Sequence, residues 1–290
     1  MKLEYIVKNN KYQNINQVLK NEFDLSSRLT SKLIKNKKIL LNGIFVDTRT
    51  IIKENNLLEI FLDDEEDNSN IIPSKMNLNI IFEDEGMLVV NKPSGTTIHP
   101  SILHYEDSLS NGIRYYFDQI GLKKKIRPVN RLDKDTSGLV IFAKNAYIQE
   151  CLIKQMKNNI FKKEYLCIVT GKLSNKKGII NAPIARKQGS IIERCVNANG
   201  QNSITHYEVI KELDNYSLVK CELETGRTHQ IRVHFAYINH PLIGDYLYGT
   251  KSDLISRQAL HCYRLSFVNP ISHSFQSLES PLPNDMKLLA

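Results

Sequence analysis

Asp133 is the first residue whose setting suggests chemistry. The stretch Arg127-Pro128-Val129-Asn130-Arg131-Leu132-Asp133-Lys134-Asp135-Thr136-Ser137-Gly138 sets this acid between Arg131 and Lys134, and Leu139-Val140-Ile141-Phe142-Ala143 follows at once. A short continuous apolar run bounded by turn residues reads as a buried strand. An acid on the loop entering such a strand is held by packing it does not itself perform, a common mounting for reactive groups. A carboxylate there could act as a nucleophile or stabilise developing positive charge. The simpler alternative is that Asp133 or Asp135 caps the turn by accepting backbone N–H bonds. Taken alone, the local pattern favours the turn.

Other segments carry further reactive or charged groups. Residues 161–169 read as a strand bearing Lys162, Lys163 and Tyr165, and 216–224 as a half-exposed strand that ends at Thr225-Gly226-Arg227. Residues 229–237 then look helical, before His240-Pro241 breaks the pattern. Upstream, residues 78–90 read as two strands joined by an acidic, Gly-containing turn, residues 105–122 as helical, and 146–159 as a helix. The chain after 240 reads as short strands punctuated by Pro270, Pro281 and Pro283.

Three of these segments recur together in a recognisable order: Arg131-Leu132-Asp133-x-x-Thr136-Ser137-Gly138, Lys163-Glu164-Tyr165-Leu166, and Thr225-Gly226-Arg227-Thr228-His229-Gln230-Ile231-Arg232-Val233-His234. With Asn91-Lys92-Pro93-Ser94-Gly95, Gly244-Asp245-x-x-Tyr248-Gly249 and Leu260-His261-x-x-x-Leu265, they resemble the RNA pseudouridine synthases of the RluA type over residues 76–290. One position departs from that family's usual wording, which has His before Arg-Leu-Asp where this chain has Asn130. The resemblance implies an α+β domain on a large mixed, mainly antiparallel sheet. It also implies isomerisation of uridine to pseudouridine, in which the bond from ribose C1′ to N1 is cut, the base turns, and C1′ joins C5. The reaction is not an oxidation and needs neither a metal nor another cofactor.

The resemblance makes Asp133 the catalytic carboxylate, Arg227 its ion-pair partner, and Tyr165 the aromatic that packs against the uracil and could act as a general base. An unperturbed Asp titrates near ~3.9 and is ionised at neutrality without help, so a neighbouring cation would mainly orient it. A Tyr with a pKa near ~10 is a poor base at neutral pH, which leaves packing as its firmer role. The target base must leave its stack, at a cost of a few kcal/mol, and Arg131 is the residue expected to occupy the gap or hold the base. Its structural alternative is an ion pair with Asp133 or Asp135. Lys92 and Lys163 are expected to touch the RNA. His229, His234 and His240 lack the Cys pair or acid cluster that would complete a metal site, and are expected to pack or to contact phosphate.

Residues 1–62 form a unit of their own. Leu25-Ser26-Ser27 starts a helix in which Leu29, Leu33 and Ile34 share one side, while Arg28, Lys32 and Lys35 line another. Two apolar runs flank Asn42-Gly43, a strong hairpin signal, and Leu57-Leu58-Glu59-Ile60 reads as a later strand. Together they resemble the S4 RNA-binding module; the alternative is a solvated helix on a generic small domain. Residues 63–75 are expected to be an acidic, solvated linker that keeps RNA off the tether, leading to the catalytic domain of 76–290. Lys123, Lys124, Lys125 and Arg127 are expected to neutralise phosphates near Asp133.

Composition agrees with a polyanionic partner. The 290 residues carry a formal charge of +8, with a pI near 9.1 and 41% hydrophobic content. Five scattered cysteines without Cys-x-x-Cys spacing argue against a disulfide framework or zinc knuckle. The N-terminus does not resemble a signal peptide, and apolar runs are too short to span a bilayer, so a reducing cytoplasm is expected; the resemblance to the family implies a monomer. The resemblance makes RNA, ribosomal RNA foremost, the expected partner. The competing reading is a non-catalytic RNA-binding or ribosome assembly factor. A hydrolase would need a nucleophile elbow or an acid pair that the chain does not show.

Overall fold

The chain, described by a computed structural model for every residue except Asn10, Asp64, Asp67 and Ala290, contains two main sheets. The first is antiparallel, four-stranded and ordered β1-β4-β2-β3, from β1 (Lys2–Ile6), β2 (Ile39–Leu41), β3 (Ile44–Phe45) and β4 (Leu57–Phe61). Between β1 and β2 lie α1 (Ile15–Asn21) and α2 (Ser27–Lys35). The Ser26 hydroxyl accepts from the Leu29 N–H at 3.2 Å and caps α2, as expected of Ser just before an amphipathic run. Leu29 and Leu33 are buried, while Arg28, Lys32 and Lys35 are exposed. Asn42 and Gly43 both take positive φ, 51° and 79°, the backbone that a two-residue hairpin turn requires.

The second sheet has ten strands. They are β5 (Ile80–Glu83), β6 (Met87–Lys92), β7 (Arg127–Pro128), β8 (Ser137–Ala143), β9 (Lys162–Thr170), β10 (Lys177–Asn181), β13 (Ile204–Glu212), β14 (Tyr216–Leu223), β15 (Leu260–Val268) and β16 (Phe275–Glu279). The main path runs β10-β13-β14-β9-β15-β8-β6-β5, with β16 beside β15 and β7 beside β8. Only β15 and β8 pair in parallel among the described strands, so the sheet is mixed and mainly antiparallel. A separate ribbon, β11 (Ile184–Arg186) with β12 (Arg194–Val196), projects between β10 and β13. Helices α3 (Leu109–Gln119), α4 (Ala146–Lys157), α5 (Gln230–Tyr237) and α6 (Asn284–Lys287) complete the fold.

The run after Asp133 is a central strand: every residue of β8 is buried. The C-terminal stretch differs from the expected series of short strands, because β15 spans 260–268 and lies between β8 and β9 in mid-sheet. Its apolar residues come from a segment that ends in prolines, which hides a core strand from local reading.

The acidic segment also departs from expectation. It does not float in solvent but lies along the basic run: Lys124 Nζ reaches Asp63 at 2.5 Å, Lys123 reaches Glu65 at 3.3 Å, and Glu66 binds both Arg127 at 2.6 Å and Lys32 at 3.0 Å. Asn68 is buried and accepts the Ile126 N–H at 2.9 Å. Acids and bases of matching spacing satisfied one another. Asp64 and Asp67 of that segment lie outside the described residues. The first sheet and α2 pack on the second unit through one shared hydrophobic cluster that includes Val18, Leu33, Ile60, Ile141 and Val219. Ser26 donates to Glu150 at 2.8 Å and Lys154 pairs with Asp24 at 2.8 Å across the same junction.

Candidate active site

Asp133 sits on the loop that feeds β8, and four features fix that loop. Its own carbonyl accepts the Thr136 N–H at 3.1 Å. Asn130 is buried and clips the approach to β8, donating to Leu139 O at 3.0 Å and accepting the Ile141 N–H at 2.9 Å. The Asn in place of the family's His therefore does backbone work. Beneath the loop, the fully buried Lys92 donates to Pro93 O, Thr96 O and Lys134 O at 2.9, 2.8 and 2.7 Å. Gly138, at φ 115°, lets β15 come close: a Cβ there would meet Cys262 O at 2.2 Å.

The carboxylate itself is held by a buried arginine. Arg232 donates to Asp133 Oδ2 at 3.3 Å and, through Nε and a second nitrogen, makes a two-pronged pair with Asp245 at 2.7 and 2.8 Å. Asp245 is fully buried and further accepts the Leu247 N–H at 3.1 Å. The guanidinium lies 5.0 Å from the centre of the Tyr248 ring. On its other side, His229 Nε2 is 3.9 Å from Asp133 Oδ2 and its Nδ1 is 2.8 Å from the Tyr248 hydroxyl. Burial lowers the His229 pKa, although Asp133 pulls the other way, so the ring is neutral near pH 7. A fork geometry matched to two carboxylates explains why an arginine occupies position 232.

The cleft in front of Asp133 encloses about 1080 Å³, and Asp133, Arg131, Tyr165, Lys163 and Arg227 line it together. Arg28 and Lys32 of α2 reach the same cleft. Tyr165 is buried and faces Cys262, and burial raises its pKa well above 10; it is a protonated platform at neutral pH. Lys163 is pushed down from its ordinary value by burial. Arg131 is exposed and makes no ion pair with Asp133 or Asp135 among the described residues.

Two site expectations change, and Lys35 lies apart from its two helix neighbours. Arg227 does not pair with Asp133: it is exposed and its Nε donates to Asn202 O at 3.1 Å, because it precedes α5 while Arg232 points inward from within it. Lys92 cannot reach RNA, since its ammonium is spent on three carbonyls under the loop; burial pushes its pKa down to about 7, against the pull of Asp135 and Asp133. Lys35 lies on α2 outside the cleft that Arg28 and Lys32 line. Arg232, Asp245, Tyr248 and His229 carry no catalytic expectation from the sequence, although all four lie inside the quoted motifs. Of the other histidines, His234 bonds Thr205 and Ala182 O, and His240 bonds Thr170 O at 2.7 Å. Neither carboxylate of Asp133 or Asp135 accepts a backbone N–H among the described residues, so the turn-capping alternative finds no bond to support it.

Residues 86–237, which span the Asp133 loop, Tyr165 and Arg232, match the family model described as RNA pseudouridylate synthase. The chain belongs to that family. It is 38% identical over 269 residues to "Uncharacterized RNA pseudouridine synthase YjbO" of Bacillus subtilis, covering 92% of this chain and 95% of the relative. It is 32% identical over 289 residues to "Ribosomal large subunit pseudouridine synthase D" of Pasteurella multocida, covering 94% and 89%. Among solved structures, "Human RNA Pseudouridylate Synthase Domain Containing 1" superposes with a TM-score of 0.60 at 26% identity, over 71% of this chain and 83% of that one. The α+β fold and the chemistry agree: this pseudouridine synthase is an isomerase that converts uridine to pseudouridine in RNA. Among the described residues, no helix is long and apolar enough to cross a membrane.

Proposed function

We propose that this pseudouridine synthase modifies large-subunit ribosomal RNA in the cytoplasm, as a monomer, with Asp133 as the attacking or charge-stabilising carboxylate. The observation that carries this reading is the clamp on Asp133: one oxygen is held by Arg232, itself fixed by the fully buried Asp245, at the floor of a cleft open to a large ligand. A carboxylate so fixed is oriented before substrate arrives, which lowers the cost of reaching the transition state.

The flipped uridine would lie with its ribose C1′ toward Asp133 and its ring on Tyr165. Breaking C1′–N1 leaves the pair of electrons on the uracil, and Asp133 balances the positive charge at C1′. The base turns, C5 bonds C1′, a proton leaves C5 and one is gained at N1, so composition is unchanged. Arg131, exposed at the cleft wall and unpaired among the described residues, is suited to stack where the base was. Lys163 and the α2 residues Arg28 and Lys32 supply positive charge along the RNA path. Residues 1–62 act as an S4-like RNA-binding module, joined by 63–75 to the catalytic domain of 76–290.

The test is pseudouridine mapping of total RNA by chemical labelling that stops reverse transcription, with the gene intact and deleted. Ribosomal sites lost on deletion and restored by wild type, but not by Asp133→Asn, are the expected result. Lost sites confined to another RNA would overturn the substrate assignment, and restoration by Asp133→Asn would overturn the role of Asp133.

A further inference from the structure

The β11–β12 ribbon sets two residues of like charge opposite one another. Arg186 and Arg194 are direct cross-strand partners in this antiparallel pair. Directly opposed residues project on the same face, and like charges there repel. One step nearer the hairpin tip, Lys187 and Glu193 form the complementary pair at 2.9 Å, so the ribbon readily accommodates opposite charges. Among the described residues, neither Arg186 nor Arg194 is ion-paired; Arg194 satisfies one nitrogen on the carbonyls of Ile192 and Glu193 at 3.0 and 3.1 Å. Both line a cleft of about 340 Å³ with Arg227 and Thr228, and those last two also line the cleft of Asp133. These arginines therefore converge, from a ribbon and from the loop before α5, on one concavity that shares Arg227 and Thr228 with the cleft of Asp133.

We propose that Arg186, Arg194 and Arg227 seat backbone phosphates of the substrate RNA beside the flipped uridine. The inference rests on the RNA-modifying reading of the main cleft and adds to it a defined path for the strand. A guanidinium binds phosphate through paired N–H donors, and a phosphate between Arg186 and Arg194 turns their mutual repulsion into attraction. The seat is also wired to the reacting group. The Arg194 N–H donates to the Tyr248 hydroxyl at 2.8 Å, that hydroxyl meets His229, and His229 faces Asp133. The ribbon is thus anchored to the ring that flanks the carboxylate.

The test measures binding and turnover of an in vitro transcript of large-subunit ribosomal RNA across a salt series. For R186Q/R194Q, the expected result is a rise in KM of about tenfold with kcat at saturating RNA held. The slope of log affinity against log salt should fall by about 0.7–0.9, the contribution of the one phosphate no longer neutralised. The charge-preserving R186K/R194K should recover most of that slope. Lys177→Gln, which removes a cation already paired with Glu208, should move neither quantity. The melting temperature of R186Q/R194Q should hold or rise, because an opposed pair of charges is gone. Unchanged KM and slope in the double variant would overturn the proposal, as would a kcat loss accompanied by a lower melting temperature. A wild type that binds with this salt dependence yet forms no pseudouridine would sink the functional reading and leave the seat standing. A wild type that forms pseudouridine while R186Q/R194Q behaves identically would sink the seat alone.

Discussion

The floor and the rim of the cleft treat positive charge in opposite ways. At the floor, Arg232 and Lys92 are buried and every donor of interest has an acceptor: two carboxylates for the first, three carbonyls for the second. At the rim, Arg131, Arg186 and Arg227 are exposed and, among the described residues, without an acid. A charge buried with its partners serves to position something, because leaving it unpaired would be prohibitive. An exposed, unpaired arginine is available to a ligand. The same residue type therefore has two uses, separated by burial and partnership.

The most severe break of this contrast is Asp133→Asn, the acid the floor exists to hold. Single-turnover assays should show product formation reduced on the order of 10³-fold or more, with RNA affinity nearly unchanged. Next comes Arg232→Met, which leaves the fully buried Asp245 without its cation. Urea unfolding should register a loss of about 3–5 kcal/mol, and kcat should fall with it.

Acid should also weaken the floor and spare the rim. His261, bonded to Ser137 at the head of β8, is driven by burial to about 4. Between that value and ~6.5 the unfolded chain binds a proton that the folded chain refuses. Stability therefore falls as pH drops from ~6.5 toward 4, by about 3 kcal/mol in total, and His261→Gln should flatten that part of the unfolding profile. The smallest effect belongs to the rim. Arg227→Gln should raise KM about threefold, as expected for one phosphate, with kcat and melting temperature held; a large kcat loss instead would place Arg227 with the floor.

Legibility in the sequence followed the same division. The β8 run, the α2 cap at Ser26 and the Asn42-Gly43 turn are local patterns and were readable as such. Asp133 and Tyr165 could be named from motifs, and they do share a cleft. The partner of Asp133 could not be chosen by spacing, because Arg227 and Arg232 lie in one motif and differ only in whether α5 has begun. Lys92 looked like a phosphate ligand because a lysine in a turn is usually exposed; nothing local announces three carbonyls converging from residues 93, 96 and 134. Likewise, the acidic segment reads as solvated until residues far along the chain, Lys123, Lys124 and Arg127, supply its counter-charges.

The position of β15 has a consequence for assembly. It is made from residues 260–268, yet it separates β8 from β9 in the middle of the sheet and supplies Cys262 beside both Gly138 and Tyr165. Its pairing with β8 joins His261 to Ser137, residues far apart in the chain, and such long-range pairings form slowly. The loop that carries Asp133 is therefore framed only when residues 260–268 have joined the sheet. The isomerase thus builds its reactive site through pairings that span much of the chain, rather than from the segment around Asp133 alone.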